Sequence, residues 1–202
     1  YNDRKKLLNP INSYNLNIPY NIRCGFIFAG RLEKSKNIDR LIRIYTKLPV
    51  QIQNENHFYI AGYGSQDNYL KNLVAQLGYN DKIHFLGNVP NTALIEETSK
   101  KKLLVMASSQ EGMPTAIAEA LSVGVPVVST NPGDIGLVLK NNYNGYILPI
   151  KFDDDEFISS ICCILSDYER FAKAAKESSY VFNSESICNG IINDIHSILS
   201  QQ

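Results

Sequence analysis

Short apolar runs recur along the chain, separated by polar stretches that contain glycine. "CGFIFAG", "HFYIAG", "KIHFLG", "KLLVMAS" and "VPVVST" are almost continuously hydrophobic. Runs of this kind, bounded by turn residues, mark strands covered on both faces. The first four end on a small residue, and each is followed by a stretch of helical pattern: Asn37 to Leu48, Ser65 to Leu77, Asn91 to Lys100 and Pro114 to Val123. Buried strands alternating with helices predict a parallel sheet. The right-handed crossover rule then gives a Rossmann-like, doubly wound α/β fold with helices on both faces.

A sixth run, "GYILPI", follows the tight turn "NNYNG". After Asp153 the pattern becomes helical throughout. "DDDE" places acidic groups where a helix dipole favours them, and Ser184 with Glu185 offers a second start. Ile187, Ile191, Ile195 and Leu199 form an apolar stripe that needs a partner surface. Residues 1–20 are rich in asparagine, carry two prolines and have no period, so they read as a linker or edge segment before one domain over 21–202.

Composition narrows the function more than the fold. The 202 residues balance 20 basic against 20 acidic side chains, which leaves no basic footprint for nucleic acid. Cys24, Cys162, Cys163 and Cys188 show no metal or CxxC spacing, and three lie in apolar contexts where cysteine acts as a small hydrophobe. A reduced, cytoplasmic setting follows. No apolar run approaches the ~20 residues of a membrane span, and the start of the chain is unlike a signal peptide. Opening on Tyr1, the chain is expected to be a piece of a longer protein.

In an open α/β sheet, ligands bind beyond the carboxyl ends of the strands. "AGYGSQD" sets Gly62 and Gly64 there, but Asp67 stands where a dinucleotide fingerprint has its third glycine, so a tight turn is the better reading. "GRLEKSKN" sets Gly30, Arg31 and Lys36 after the first strand, with Lys34 a rival for the second cation. A guanidinium beside an ammonium is what a diphosphate requires. In "EGMPTAIAE", Glu111 falls in a loop, Pro114 suits a first helical turn, and Thr115 and Glu119 share a helix face. The free N–H groups around Met113 and Thr115 make an anion site. Flanking carboxylates make sense there as acceptors for sugar and ribose hydroxyls. His57, His84 and His196 have neither metal nor triad spacing and read as structural.

"FAGRLEKSKNIDRLI", "FYIAGYGS", "IHFLGNVP", "SSQEGMPTAIAEALSVGVPVVST" and "NGYILP", in this order, resemble the C-terminal, donor-binding half of GT-B glycosyltransferases, closest to the retaining group 1 (family 4) enzymes. The resemblance implies catalytic roles for Arg31 and Lys36 on the nucleotide diphosphate and for Glu111 on the donor sugar. It implies substrate binding by Gly30, Gly62, Gly64, Gly112, Met113, Pro114 and Thr115, with Val89 at the base and Glu119 at the ribose. It further implies no cofactor or metal beyond the donor itself, a UDP-sugar. The acceptor would be a glycan or lipid-linked saccharide, as in polysaccharide biosynthesis, and the full-length enzyme would sit peripherally at the inner face of the membrane. The partner would be an N-terminal GT-B domain, on the same or a separate chain, without which this chain is expected to be inactive. Leu137 stands where the family often has glutamate. The rival readings are a non-catalytic nucleotide-binding or partner module of the same fold, and an epimerase or phosphorylase relative, for which the needed histidine or pyridoxal-lysine context is missing.

Overall fold

Along the first strand, Phe26 and Phe28 turn to one side and Ile27 and Ala29 to the other, and all four are buried. The fourth strand repeats this with Leu103 and Val105 against Leu104 and Met106. A pleat with both faces apolar must be covered twice, and the architecture follows from that. The computed structural model describes residue 16, residues 18–111 and residues 115–179.

The chain runs β1 (Phe26–Ala29), α1 (Ile38–Lys47), α2 (Val50–Glu55), β2 (Phe58–Ala61), α3 (Asp67–Leu77), β3 (Ile83–Gly87), α4 (Asn91–Ser99), β4 (Leu103–Met106), α5 (Thr115–Ser122), β5 (Val127–Thr130), β6 (Gly145–Leu148), α6 (Asp154–Ser166) and α7 (Tyr168–Ser178). The strands form one sheet in the order β3-β2-β1-β4-β5-β6. Every pairing is parallel, with Phe26 opposite Phe58 on one side and Leu103 on the other. This is the doubly wound fold expected from the strand–helix alternation. α1, α3 and α6 cover the Phe26–Phe28 face, while α4, α5 and a 3-10 turn at Asp134–Leu137 cover the Ile27–Ala29 face.

One helix escaped the hydrophobic pattern. α2 exposes Val50 and buries Gln53, whose side-chain amide donates to the Leu48 and Thr46 carbonyls at 2.7 and 3.2 Å. A helix anchored by a polar side chain leaves no apolar stripe to find. Asp153 caps α6 by accepting from the Asp155 N–H at 2.8 Å, as "DDDE" predicts. Asp154 does more, receiving Arg40 and Lys47 of α1, each at 2.8 Å, while the Arg40 guanidinium lies over the Phe152 ring.

The cysteine expectation needs correction. Cys24 and Cys163 are exposed and Cys162 is half-buried, because Cys24 precedes β1 and the Cys162–Cys163 pair sits off the core stripe of α6 that Phe157, Ile161 and Ile164 form. His57, just before β2, and His84 on β3 pair ring to ring, Nδ1 to Nε2, at 2.9 Å, consistent with a structural role. The apolar stripe 187–199, Cys188, His196 and most of the 1–20 segment lie outside the described residues.

Backbone packing at the strand ends depends on missing side chains. A Cβ on Gly62, whose φ is +140°, would lie 1.8 Å from the Gly30 carbonyl oxygen. Gly87 also has positive φ (+67°), yet a Cβ there meets nothing within 4 Å. Gly62→Ala should therefore cost about 2 kcal/mol or more, and Gly87→Ala about 1 kcal/mol from backbone strain alone. Urea unfolding of the two variants beside the parent measures the difference.

Candidate functional site

The sheet order reverses between β1 and β4, and the loops leaving these two strands diverge to opposite faces. A crevice must open there, at the carboxyl edge. The β1 loop is fastened on both flanks. Toward β2, the Leu32 N–H donates to Tyr63 O and the Gln66 N–H to Leu32 O, both at 2.9 Å. The Ser65 N–H and hydroxyl donate to the Glu33 carboxylate at 3.2 and 2.6 Å. The bond from the Ser65 hydroxyl, more than any other influence, holds the Glu33 carboxyl below its ordinary pKa. Gly64 takes part in the same packing, since a Cβ there would come within 2.5 Å of Leu32 O.

Toward β4, the Ser109 N–H donates to Ser35 O at 2.8 Å and the Asn37 side-chain amide to Ala107 O at 2.8 Å. Between these bonds lies the main polar contact of the crevice. Lys36 Nζ meets Glu111 Oε1 at 2.5 Å, with the two side chains only 14% and 12% exposed. Ser108 Oγ donates to the same oxygen at 2.8 Å. Ser108 is itself steadied from the next strand, where the buried Thr130 hydroxyl donates to Ser108 O at 2.6 Å. Lys36 turns inward to Glu111, while the Lys34 side chain is exposed and makes no hydrogen bond or ion pair among the described residues.

Glu119 sits half-buried on α5, facing Asn91 at the start of α4. α4, which follows the loop carrying half-buried Val89, packs on the same helix. Thr115 is exposed at the first described position of α5, and Ile117 and Leu121 point into the core. The far end of α5 is capped by cations. Arg23 Nη1 donates to Gly124 O at 2.7 Å and Lys176 Nζ to Ser122 O at 2.6 Å, where the helix dipole is negative.

Of the residues singled out in the sequence, the structure joins Lys36 to Glu111 and packs Gly30, Gly62 and Gly64 into one backbone cluster. It sets Glu119 beside the Val89 loop. Arg31 stands exposed at the β1 end, without an ion pair among the described residues. Gly112, Met113 and Pro114 lie outside the described residues. Sequence reasoning passed over Ser108, Asn37, Asn91 and the Glu33–Ser65 tie. Each is a polar residue in a loop or first helical turn after a strand, a signal present in the sequence but too common to select them.

A doubly wound domain with a cation–carboxylate pair at its switch point, and a carboxylate on the adjoining helix, has the form of a GT-B donor-binding domain. Residues 24–179 match the model of the family described as glycosyl transferases group 1, and the chain belongs to that family. Among curated relatives it is 31% identical over 149 residues to an α-1,4-N-acetyl-D-galactosaminyltransferase of Campylobacter jejuni whose named substrate is a diphospho-undecaprenol-linked saccharide. That alignment covers 73% of this chain and 40% of the relative. Among solved structures it is similar to a lipopolysaccharide outer core galactosyltransferase (TM-score 0.81, 19% identity, 95% of this chain and 55% of the other). It is also similar to the pneumococcal O-GlcNAc transferase in complex with UDP and GlcNAc (TM-score 0.73, 22% identity, 95% and 38%). The chain thus spans about half or less of the length of these proteins. No helix among the described residues is long and apolar enough to cross a membrane.

Burial raises the Glu119 carboxyl pKa above its ordinary 4.5, against a smaller lowering by the Asn91 bond. A carboxyl with a raised folded pKa favours folding below its unfolded pKa, and that contribution is lost as pH rises through the folded value. Glu119→Gln should therefore gain stability relative to the parent as pH climbs from about 4 to about 7. Chemical denaturation of both proteins across that range gives the comparison, and parallel curves would contradict it.

Proposed function

We propose that this domain binds a UDP-sugar and serves as the donor half of a retaining glycosyltransferase acting on a glycan or lipid-linked saccharide. The observation that carries the reading is the Lys36–Glu111 contact at the β1/β4 switch point. An ammonium has three N–H donors, and Glu111 takes one, leaving the others for the donor diphosphate beside the Arg31 guanidinium. Glu111 Oε1 is held by Lys36 and Ser108, while Oε2 makes no hydrogen bond among the described residues and can accept from a sugar hydroxyl. Glu119, half-buried on α5, accepts from ribose hydroxyls, with Val89 in the loop before α4 at the base.

Bond cleavage builds negative charge on the departing diphosphate. Lys36, held by Glu111 before the reaction begins, stabilises that charge without reorganising, and the Arg31 guanidinium adds a second cation. The leaving phosphate oxygen takes the acceptor proton on the same face, which accounts for retention and asks for no protein base. Gly112, Met113 and Pro114 precede Thr115 at the start of α5, the dipole end suited to the phosphates. The UDP preference rests on resemblance to the group 1 enzymes, and the half-length span on an N-terminal domain that would hold the acceptor. A cytoplasmic position at the inner membrane face follows from that class of acceptor.

Calorimetric titration with UDP should show binding that Arg31→Ala, Lys36→Ala and Glu119→Ala each weaken by about tenfold or more, the loss of one charge-assisted hydrogen bond. No binding at millimolar UDP, or variants that match the parent, would refute the assignment. The isolated chain should show no transfer to acceptor until an N-terminal GT-B domain is supplied. The product anomer, read by NMR, should keep the donor configuration.

A further inference from the structure

A separate cavity of about 370 Å³ opens between the first turns of α1 and α3. Glu33, Lys34, Asp39, Gln66 and Tyr69 wall it, over buried Ile38 and Leu70. It lies on the sheet face that α1 and α3 cover, whereas Glu119 rides on α5 against the opposite face. It is therefore not the donor crevice.

The lining narrows the occupant. Glu33 and Asp39 together disfavour an anion such as phosphate. No group of three histidine, cysteine or acidic side chains suited to a metal ion exists among the described residues, and Lys34 in the same wall opposes an organic cation. A purely apolar ligand would strand Lys34, Asp39 and Gln66, whose side chains make no hydrogen bond or ion pair among the described residues. What remains is a neutral molecule that both donates and accepts hydrogen bonds and presents a flat C–H face to an aromatic ring. Tyr69, 48% exposed at the rim, supplies that ring. The volume lies within the range of small-molecule sites.

We propose that this cavity is a second carbohydrate site, taking a neutral pyranose unit of a glycan. The same 3-10 turn, Lys34–Lys36, presents Lys34 to the cavity and Lys36 to Glu111. Occupancy of the outer site thus bears on the turn that positions the donor-side cation. The proposal does not depend on UDP being the donor.

The test is an amide ¹H–¹⁵N titration of the full chain with the methyl glycosides of glucose, galactose, mannose, N-acetylglucosamine and N-acetylgalactosamine in the millimolar range. At least one should shift amides in 38–39 and 65–70 saturably. Tyr69→Ala and Asp39→Asn should each weaken that binding by about tenfold while unfolding at the parent's temperature. UDP added to the same samples reports the donor crevice through Arg31, Lys36 and residues 108–119, outside the 38–39 and 65–70 set, so failure of one site is distinguishable from failure of the other. Saturable shifts from none of the five glycosides would overturn the proposal. So would shifts confined to the donor set, or an unchanged affinity in Tyr69→Ala.

Discussion

Everything at the rim depends on one constraint: strands that are apolar on both faces must be covered on both sides, here by helices over an all-parallel sheet. Parallel strands send all their carboxyl ends to one edge, so residues distant in the chain are delivered to a common line. The reversal of winding between β1 and β4 then parts two adjacent loops. Lys36 and Glu111, separated by 75 positions, meet there because the topology leaves their loops no other place.

Around that meeting the backbone is unusually close. Gly62 lies against Gly30 and Gly64 against Leu32 O, so the first two strand loops behave as one body. Bonds from Ser109 and Asn37 extend that body to the β4 loop. A site meant to hold charge needs this kind of rigidity, since fixed dipoles and cations act on developing charge only if they are already in place. The Lys36–Glu111 contact shows the same economy. Each charge keeps the other compensated in a nearly closed crevice, where an isolated one would be costly.

α5 links this edge to the body of the domain. Its apolar side, Ile117 and Leu121, is sunk in the core, and its carboxyl end is held by Arg23 and Lys176. Cations at that end complement the dipole whose positive end faces the crevice. Glu119 is half-buried because it stands between the core stripe and α4, and that position raises its pKa. The cavity between α1 and α3 belongs to the same frame seen from the other face, sharing the Lys34–Lys36 turn with the crevice.

The fold was legible from the chain because its signal is periodic: six apolar runs separated by helical stretches leave few topologies once crossover handedness is fixed. Arg31, Lys36, Glu111 and Glu119 were legible as candidates because they follow strands in a recognisable order. Other features were not. α2 is held by a buried glutamine rather than an apolar stripe, and the exposure of Cys24 and Cys163 turns on helix phase and strand ends that composition does not encode. The pairing of Lys36 with Glu111, the bond of Ser108 to the same carboxylate, and the cavity beside Tyr69 were decided only by the tertiary structure. Hydrophobic pattern is a property of neighbours along the chain, whereas hydrogen-bond partners and cavities arise between segments whose proximity the chain order does not record.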